Sequence, residues 1–336
     1  MVDRHLLAKR LHYYNFLVVI LENKKRIVAV VGPTASGKSA LALELASQCG
    51  GEIISCDSMQ VYKRMNIGTA KPTLAELSSV RHHMIDIVEP TESFSCEDYV
   101  RLASLAIDDV ISRGKIPIIC GGTGLYLDAL LRGGNSAPDI DTAEIRAMLC
   151  ERAANEGIDP IYEELSRVDL ESALAIHKNN EKRVIRALEI YLATGITKSE
   201  LDRRSREIES PYDATVACLS YNDRSILYDR IDRRVDQMIG EGLLEETRAL
   251  MSEGVFELNK TASQAIGYKE LFGYIEGREE LSLATETLKR STRRYAKRQI
   301  TWFSAKNYAI PLDACGENGI KPFKEIVNNA KKLFSF

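Results

Sequence analysis

The sequence predicts an α/β protein: a parallel sheet core flanked by helices and interrupted by an all-helical insertion. Three observations carry this expectation. Ile27–Val31 (IVAVV) is a continuous apolar run rich in β-branched residues, as a central parallel strand buried on both faces requires. Short runs at Glu52–Ser55, Met84–Val88 and Ile116–Cys120 alternate with helical stretches, one reaching about Gln48 and one around Cys96–Ser112. After Arg132 the breaker cluster Gly133-Gly-Asn-Ser-Ala-Pro138 appears, and from Asp141 to about Arg206 the pattern is helical only.

The remaining elements follow in order. Strand character returns at Ala214–Ser220, helices dominate from Asp223 to about Phe303, and a short strand at Tyr308–Leu312 precedes a final helix. The predicted organisation is an N-terminal extension at 1–26, a core from 27–137 and 209–336, and a helical insertion at 138–208. In the extension, Arg4, Lys9 and Arg10 precede the apolar stretch Tyr13–Leu21, which imitates a signal peptide. No small-residue cleavage site follows it, and the run is too short to span a bilayer.

The chain has 336 residues, 45% hydrophobic and 28% charged, enough to bury a sizeable core. Its net charge of −3 supplies no global basic field, so any nucleic-acid contact must come from local patches. Seven cysteines without a Cys-x-x-Cys pair fit reduced thiols in a cytoplasmic protein and provide no zinc ligand set. His82 and His83 are adjacent but have no further ligands nearby, and read as structural or lining residues.

Gly32-Pro-Thr34-Ala35-Ser36-Gly37-Lys38-Ser39 matches G-x-x-x-x-G-K-[ST], a P-loop. Such a loop turns backbone N–H groups inward around a phosphate and adds the positive end of the following helix. Lys38 is placed to reach the outer phosphate, and the Ser39 hydroxyl to sit on Mg²⁺. The core is therefore P-loop NTPase-like, and alone the loop points to ATP. No apolar strand, however, ends in a convincing magnesium-holding Asp. Ile116–Cys120 runs instead into Gly121-Gly-Thr123-Gly124, a second glycine turn at the carboxyl end of a core strand, where open α/β sheets place ligands. Thr123 suits either the same phosphates or a helix N-cap.

The combination is more specific. Asp57-Ser58-Met59-Gln60-Val-Tyr62 leads through Asn66–Pro72 to His82–Asp86. It is followed by Lys182-Arg183-Val184-Ile185-Arg186-Ala-Leu-Glu189, Tyr228–Val235, Gln264–Glu270 and Lys297–Trp302. With the two glycine loops, this series over 27–303 resembles the tRNA dimethylallyltransferase (isopentenyltransferase) family, in the shorter bacterial form without a zinc finger. The resemblance implies that dimethylallyl diphosphate rather than ATP occupies the P-loop, and that a flipped adenosine beside the anticodon enters a channel from the opposite end. Transfer to its exocyclic N6 amine would release diphosphate. Asp57 would be the general base. Lys38, the P-loop amides, Thr123, Arg234 and Mg²⁺ at Ser39 would meet the developing diphosphate charge. Arg183 matches a position that also supports catalysis.

The same resemblance implies a tRNA-contacting set. It comprises Asp57, Ser58, Met59, Gln60 and Thr123 at the base, and Arg146, Lys182, Arg183, Val184, Ile185 and Arg186 on the insertion. Gly267, Tyr268 and Lys269 complete it beside the site. Independently, Lys289, Arg290, Arg293, Arg294, Lys297 and Arg298 recur on one half of a helix with no acid between them, a stripe suited to backbone phosphates. A monomer is expected. The rival readings are prenylation of a free adenine nucleotide, a small-molecule kinase, and an RNA-binding protein without catalysis. The insertion and basic helix argue against the first, the Asp57 and Gly-Gly-Thr-Gly segments against the second, and the intact P-loop against the third.

Overall fold

The computed structural model describes residues 24–133, 142–316 and 319–336. Most of the expected N-terminal extension, and the expected start of the insertion at 138, lie outside the described residues. The chain divides into two compact units, one formed by Arg132–Ser210 and the other by the flanking segments.

The larger unit begins with β1 (Lys25–Val31), α1 (Lys38–Cys49), β2 (Gly51–Cys56), α2 (Leu74–Ser79), β3 (His82–His83), α3 (Cys96–Ser112), β4 (Ile116–Gly121) and α4 (Gly124–Leu131). The smaller unit contains α5 (Ala143–Glu156), α6 (Asp159–Val168), α7 (Leu170–Ala175), α8 (Glu181–Thr194) and α9 (Lys198–Glu207). The larger unit resumes with β5 (Tyr212–Ser220), α10 (Arg224–Gly240), α11 (Leu243–Ser252), α12 (Val255–Leu258), α13 (Phe272–Ile275) and α14 (Leu281–Ser304). It closes with β6 (Ala309–Asp313), the short antiparallel pair β7 (Cys315–Gly316) and β8 (Gly319–Ile320), and α15 (Phe323–Phe334).

Strands β1 to β6 form one parallel sheet in the order β3-β2-β4-β1-β5-β6. Along β1, Ile27, Ala29 and Val31 face one hydrophobic layer, while Val28 and Val30 face another containing Leu41 and Leu45 of α1. Ile27–Val31 are all buried, which explains why this part of the strand reads as an unbroken apolar run. Register aligns Val31 with Gly121, and Gly121 with Cys56. The carboxyl ends of β1, β2 and β4 are thus level, and the loops leaving them share one edge of the sheet.

The expected strand at Met84–Val88 is placed differently. The strand comprises His82–His83, and Val88 contributes only an isolated bridge to Tyr62. Met84 (φ 64°) and Asp86 (φ 55°) adopt left-handed backbone that a strand cannot contain. In the smaller unit, Leu149, Ile161, Leu165, Val184 and Leu188 form the apolar centre. Asp169 accepts N–H bonds from Ser172 and Ser199, each at 3.0 Å, tying α7 to α9.

Candidate active site

The site forms where three loops leave neighbouring strands. The P-loop joins β1 to α1, Asp57 follows β2, and Gly122-Thr123 joins β4 to α4. Close backbone approach explains two of the glycines. A Cβ on Gly121 would lie 2.0 Å from the Cys56 carbonyl oxygen, and one on Gly122 would lie 2.0 Å from Gln299 Nε2. Thr123 is drawn to β2 from both ends: its N–H donates to Cys56 O at 3.1 Å, and its hydroxyl accepts the Ser58 N–H at 3.1 Å. The hydroxyl therefore fixes the Asp57–Ser58 turn. Asp57 Oδ1 accepts the Met59 N–H at 2.9 Å, which holds the carboxylate in a local turn.

Side chains from two later helices complete the arrangement. Gln299 of α14 is buried and bridges the glycine loops, accepting the Thr34 N–H at 2.8 Å and donating to Gly122 O at 3.0 Å. Arg230 of α10 donates to Ala35 O at 2.8 Å, where Ala35 itself has φ 60°. The guanidinium thereby braces the bend of the P-loop and brings a cation to it. Both residues fall in segments that carry the sequence resemblance, yet nothing local to them signals these contacts. Lys38 Nζ, meanwhile, donates to Pro33 O at 3.2 Å.

The cavities around these groups are neighbours, with Arg234 and Ala70 lining all three. A mouth of about 840 Å³ opens beside Ser36, Lys38, Ser39 and Arg230. A narrow part of about 60 Å³ passes Lys38, Asp57 and Cys120. An inner cavity of about 220 Å³ holds Asp57 and Ser58 at a polar end and is walled by Ile231, Val235, Met238, Ile266 and Leu288. Charged groups thus meet a mainly apolar chamber at Asp57, with Arg234 and Arg298 also on its lining.

Electrostatics follow from that enclosure. Burial pushes the Lys38 ammonium below the usual lysine range; the Asp57 carboxylate opposes this and Arg234 adds to it. Burial likewise lowers Arg234, with Asp57 opposing. Cys120, at the floor of the narrow part, is pushed up to about 11 by burial, so its thiol stays protonated at neutral pH. Tyr295 of α14 lines the inner cavity with Arg298 over its ring at 5.4 Å. Burial, reinforced by the Asp57 charge, raises its phenol. Among the described residues no cluster of three His, Cys, Asp or Glu could hold a metal. A Mg²⁺ ion here would rely on Ser39 and on phosphate oxygens, a donor set that suits this hard cation. His82 Nδ1 lies 2.8 Å from Val80 O, and His83 Nε2 lies 2.8 Å from buried Glu52, so both rings have structural partners.

The expected tRNA contacts divide by exposure. Lys182 and Arg183 are exposed on α8, and Arg183 makes no side-chain ion pair among the described residues. Val184 and Ile185 turn into the apolar centre of the smaller unit, so their side chains pack there rather than against RNA. Arg146 and Arg186 both bind Glu189, at 2.9 and 2.5 Å. Burial would raise the Glu189 carboxyl, but Arg146, Thr142 and Arg186 together hold it below the usual range. These arginines neutralise a buried acid, a task the sequence pattern did not reveal. In the larger unit, Gln60 is committed internally: its amide donates to Thr69 O and Ala70 O at 3.1 and 3.2 Å and accepts from Ser55 at 2.8 Å. Tyr268 is fully buried, whereas Met59 and Gly267 line the inner cavity and Lys269 is half-buried.

The basic helix also divides. Lys289 and Arg293 turn toward α10, where Asp236 and Asp232 pair with them at 2.7 and 2.5 Å. Arg290, Arg294, Lys297 and Arg298 remain exposed and make no ion pair among the described residues. No described helix is long and apolar enough to cross a membrane.

The pattern of the IPP transferase family matches residues 60–306. A tRNA dimethylallyltransferase from Halalkalibacterium halodurans is 44% identical over 305 residues, covering 91% of this chain and 96% of that protein. One from Geobacillus thermodenitrificans is 48% identical over 279 residues, covering 83% and 87%. The crystal structure of a full-length tRNA isopentenylpyrophosphate transferase from Bacillus halodurans superposes with a TM-score of 0.67 at 42% identity, covering 93% of this chain and 97% of that one. A eukaryotic dimethylallyltransferase acting on tRNA superposes with a TM-score of 0.71 at 31% identity, covering 86% and 74%.

Proposed function

The chain belongs to the IPP transferase family, and from that membership we propose that it transfers a dimethylallyl group from dimethylallyl diphosphate to tRNA. The acceptor is the N6 amine of the adenosine on the 3′ side of the anticodon. The observation that carries this reading is the junction at Asp57, where a phosphate cradle gives way to an apolar chamber. ATP would have no use for such a chamber beside its phosphates, whereas an allylic diphosphate has both a polar head and a five-carbon apolar tail.

The residues then take definite tasks. P-loop amides from Ala35 to Ser39, Lys38 and Arg230 hold the diphosphate, and Arg234 faces it across the narrow part. Mg²⁺, when bound through Ser39 and the phosphate oxygens, neutralises part of the leaving-group charge. The allylic C–O bond breaks with its electron pair going to diphosphate. The adenine nitrogen forms the new C–N bond, and its proton passes to Asp57. Thr123 holds the Asp57–Ser58 turn in place through its hydroxyl. The exposed cations of α14 and α8, including Arg290, Arg294, Lys297, Lys182 and Arg183, provide the RNA-facing charge.

Incubation with labelled dimethylallyl diphosphate, Mg²⁺ and either unmodified tRNA or AMP tests the proposal. Label is expected in tRNA. Label confined to AMP, or phosphate transfer without prenylation, would overturn it.

A further inference from the structure

Residues 66–72 form the wall that both the mouth and the inner cavity share, and one carboxylate holds that wall. Glu246 of α11 accepts the N–H groups of three consecutive residues: Asn66 at 3.0 Å, Ile67 at 2.9 Å and Gly68 at 3.1 Å. It also accepts the Tyr268 hydroxyl at 2.7 Å. Consecutive N–H groups converging on one point form an anion-binding concavity, and here the protein fills it with its own side chain. Charge-assisted bonds of this kind are about twice as strong as neutral ones.

The segment is held from the other side as well. A Cβ on Gly68 would lie 2.4 Å from the Tyr268 ring, so the backbone is pressed against that ring. Further along, the Gln60 amide grips the carbonyls of Thr69 and Ala70. Ala70 adopts φ 48°, an unfavourable backbone for a residue with a side chain, and the contacts on either side keep it there. Gly68, Thr69 and Ala70 line the inner cavity with Asp57, while Asn66, Ile67 and Ala70 line the mouth with Lys38.

We propose that Glu246 is a positioning residue for the prenyl donor: its carboxylate sets the 66–70 wall and thereby the space in which the allylic diphosphate lies. This inference rests on the donor assignment made above. Glu246 touches neither reacting atom, so its effect should fall on donor affinity rather than on the chemical step.

Two variants test this from opposite sides. Glu246→Gln keeps the shape but loses the charge and turns an amide toward N–H donors; Gly68→Ala pushes the wall off Tyr268. Calorimetry with dimethylallyl diphosphate and Mg²⁺ should show affinity lower by about tenfold in Glu246→Gln, the worth of one charged hydrogen bond, and lower also in Gly68→Ala. Turnover at saturating donor and the KM for tRNA should stay within about twofold of wild type, a change under half a kcal/mol. Hydrogen exchange should show lost protection at residues 66–68 in Glu246→Gln. Wild-type donor affinity in both variants would overturn the proposal, as would matched losses of turnover and affinity with a lowered melting temperature. Wild-type protein that does not bind the donor at all would instead refute the proposed function.

Discussion

Gln299→Ala is the substitution whose effect can be worked most directly from the structure. The native side chain satisfies the Thr34 N–H at 2.8 Å and the Gly122 carbonyl at 3.0 Å in a buried position. Truncation leaves two backbone groups without their partner, at about 1–3 kcal/mol each, or roughly 2–6 kcal/mol before any water enters. Against a domain stability of about 5–15 kcal/mol such a loss is a large and readily measured fraction. Urea unfolding reads the stability change, and steady-state kinetics read the site. Because Thr34 belongs to the phosphate cradle and Gly122 precedes Thr123, KM for the diphosphate and turnover should both worsen. Gln299→Glu separates the halves of the bridge: one oxygen still accepts from Thr34, while the other opposes the Gly122 carbonyl with no proton between them. Stability lost by less than about 1 kcal/mol in the alanine variant, with unchanged kcat/KM, would refute the bridging role.

Four other outcomes are expected. Asp57→Asn should keep diphosphate affinity while turnover falls by about 10²–10⁴, the range for removing a general base, measured by single-turnover prenylation. Because burial lowers Lys38, the charge that holds diphosphate should be lost as pH rises through a value below the ordinary lysine range. In a pH profile of kcat/KM for the donor, the alkaline limb should therefore begin early and move upward in Lys38→Arg, whose charge persists to higher pH. On α14, removing Arg290 and Arg294 together should reduce the slope of tRNA affinity against salt by about 2, one unit per phosphate contact. Arg293→Ala should leave that slope unchanged and lower stability instead, since Arg293 is paired with Asp232.

How much of this was legible in the sequence depended on distance along the chain. The P-loop could be read because strand, loop and helix are contiguous between Ile27 and Gln48. The central strand declared itself because burial on both faces leaves only apolar residues from Ile27 to Val31. Met84 and Asp86 misled, since apolar residues at 84–88 look extended while their left-handed backbone depends on tertiary contacts. The stripe on α14 was correctly placed on one half of a helix, but Asp232 and Asp236 answer two of its cations from another helix. For Arg146 the sequence offered only an expected tRNA contact, because Glu189 meets it only after α5 and α8 pack. Gln299 is uncharged and lies 265 residues from Thr34, so no spacing rule could connect the two.

That same separation bears on how the protein comes into being on the ribosome. Chains are extended from the N terminus, so β1 and the P-loop emerge long before β5, the neighbour that pairs with β1 along its other edge. Until α14 is synthesised, the Thr34 amide and the Gly122 carbonyl have no Gln299 between them. A nascent chain that has displayed its whole phosphate loop therefore still lacks a competent site. Competence arrives only once α14 has been translated, and products truncated before it would lack the bridge.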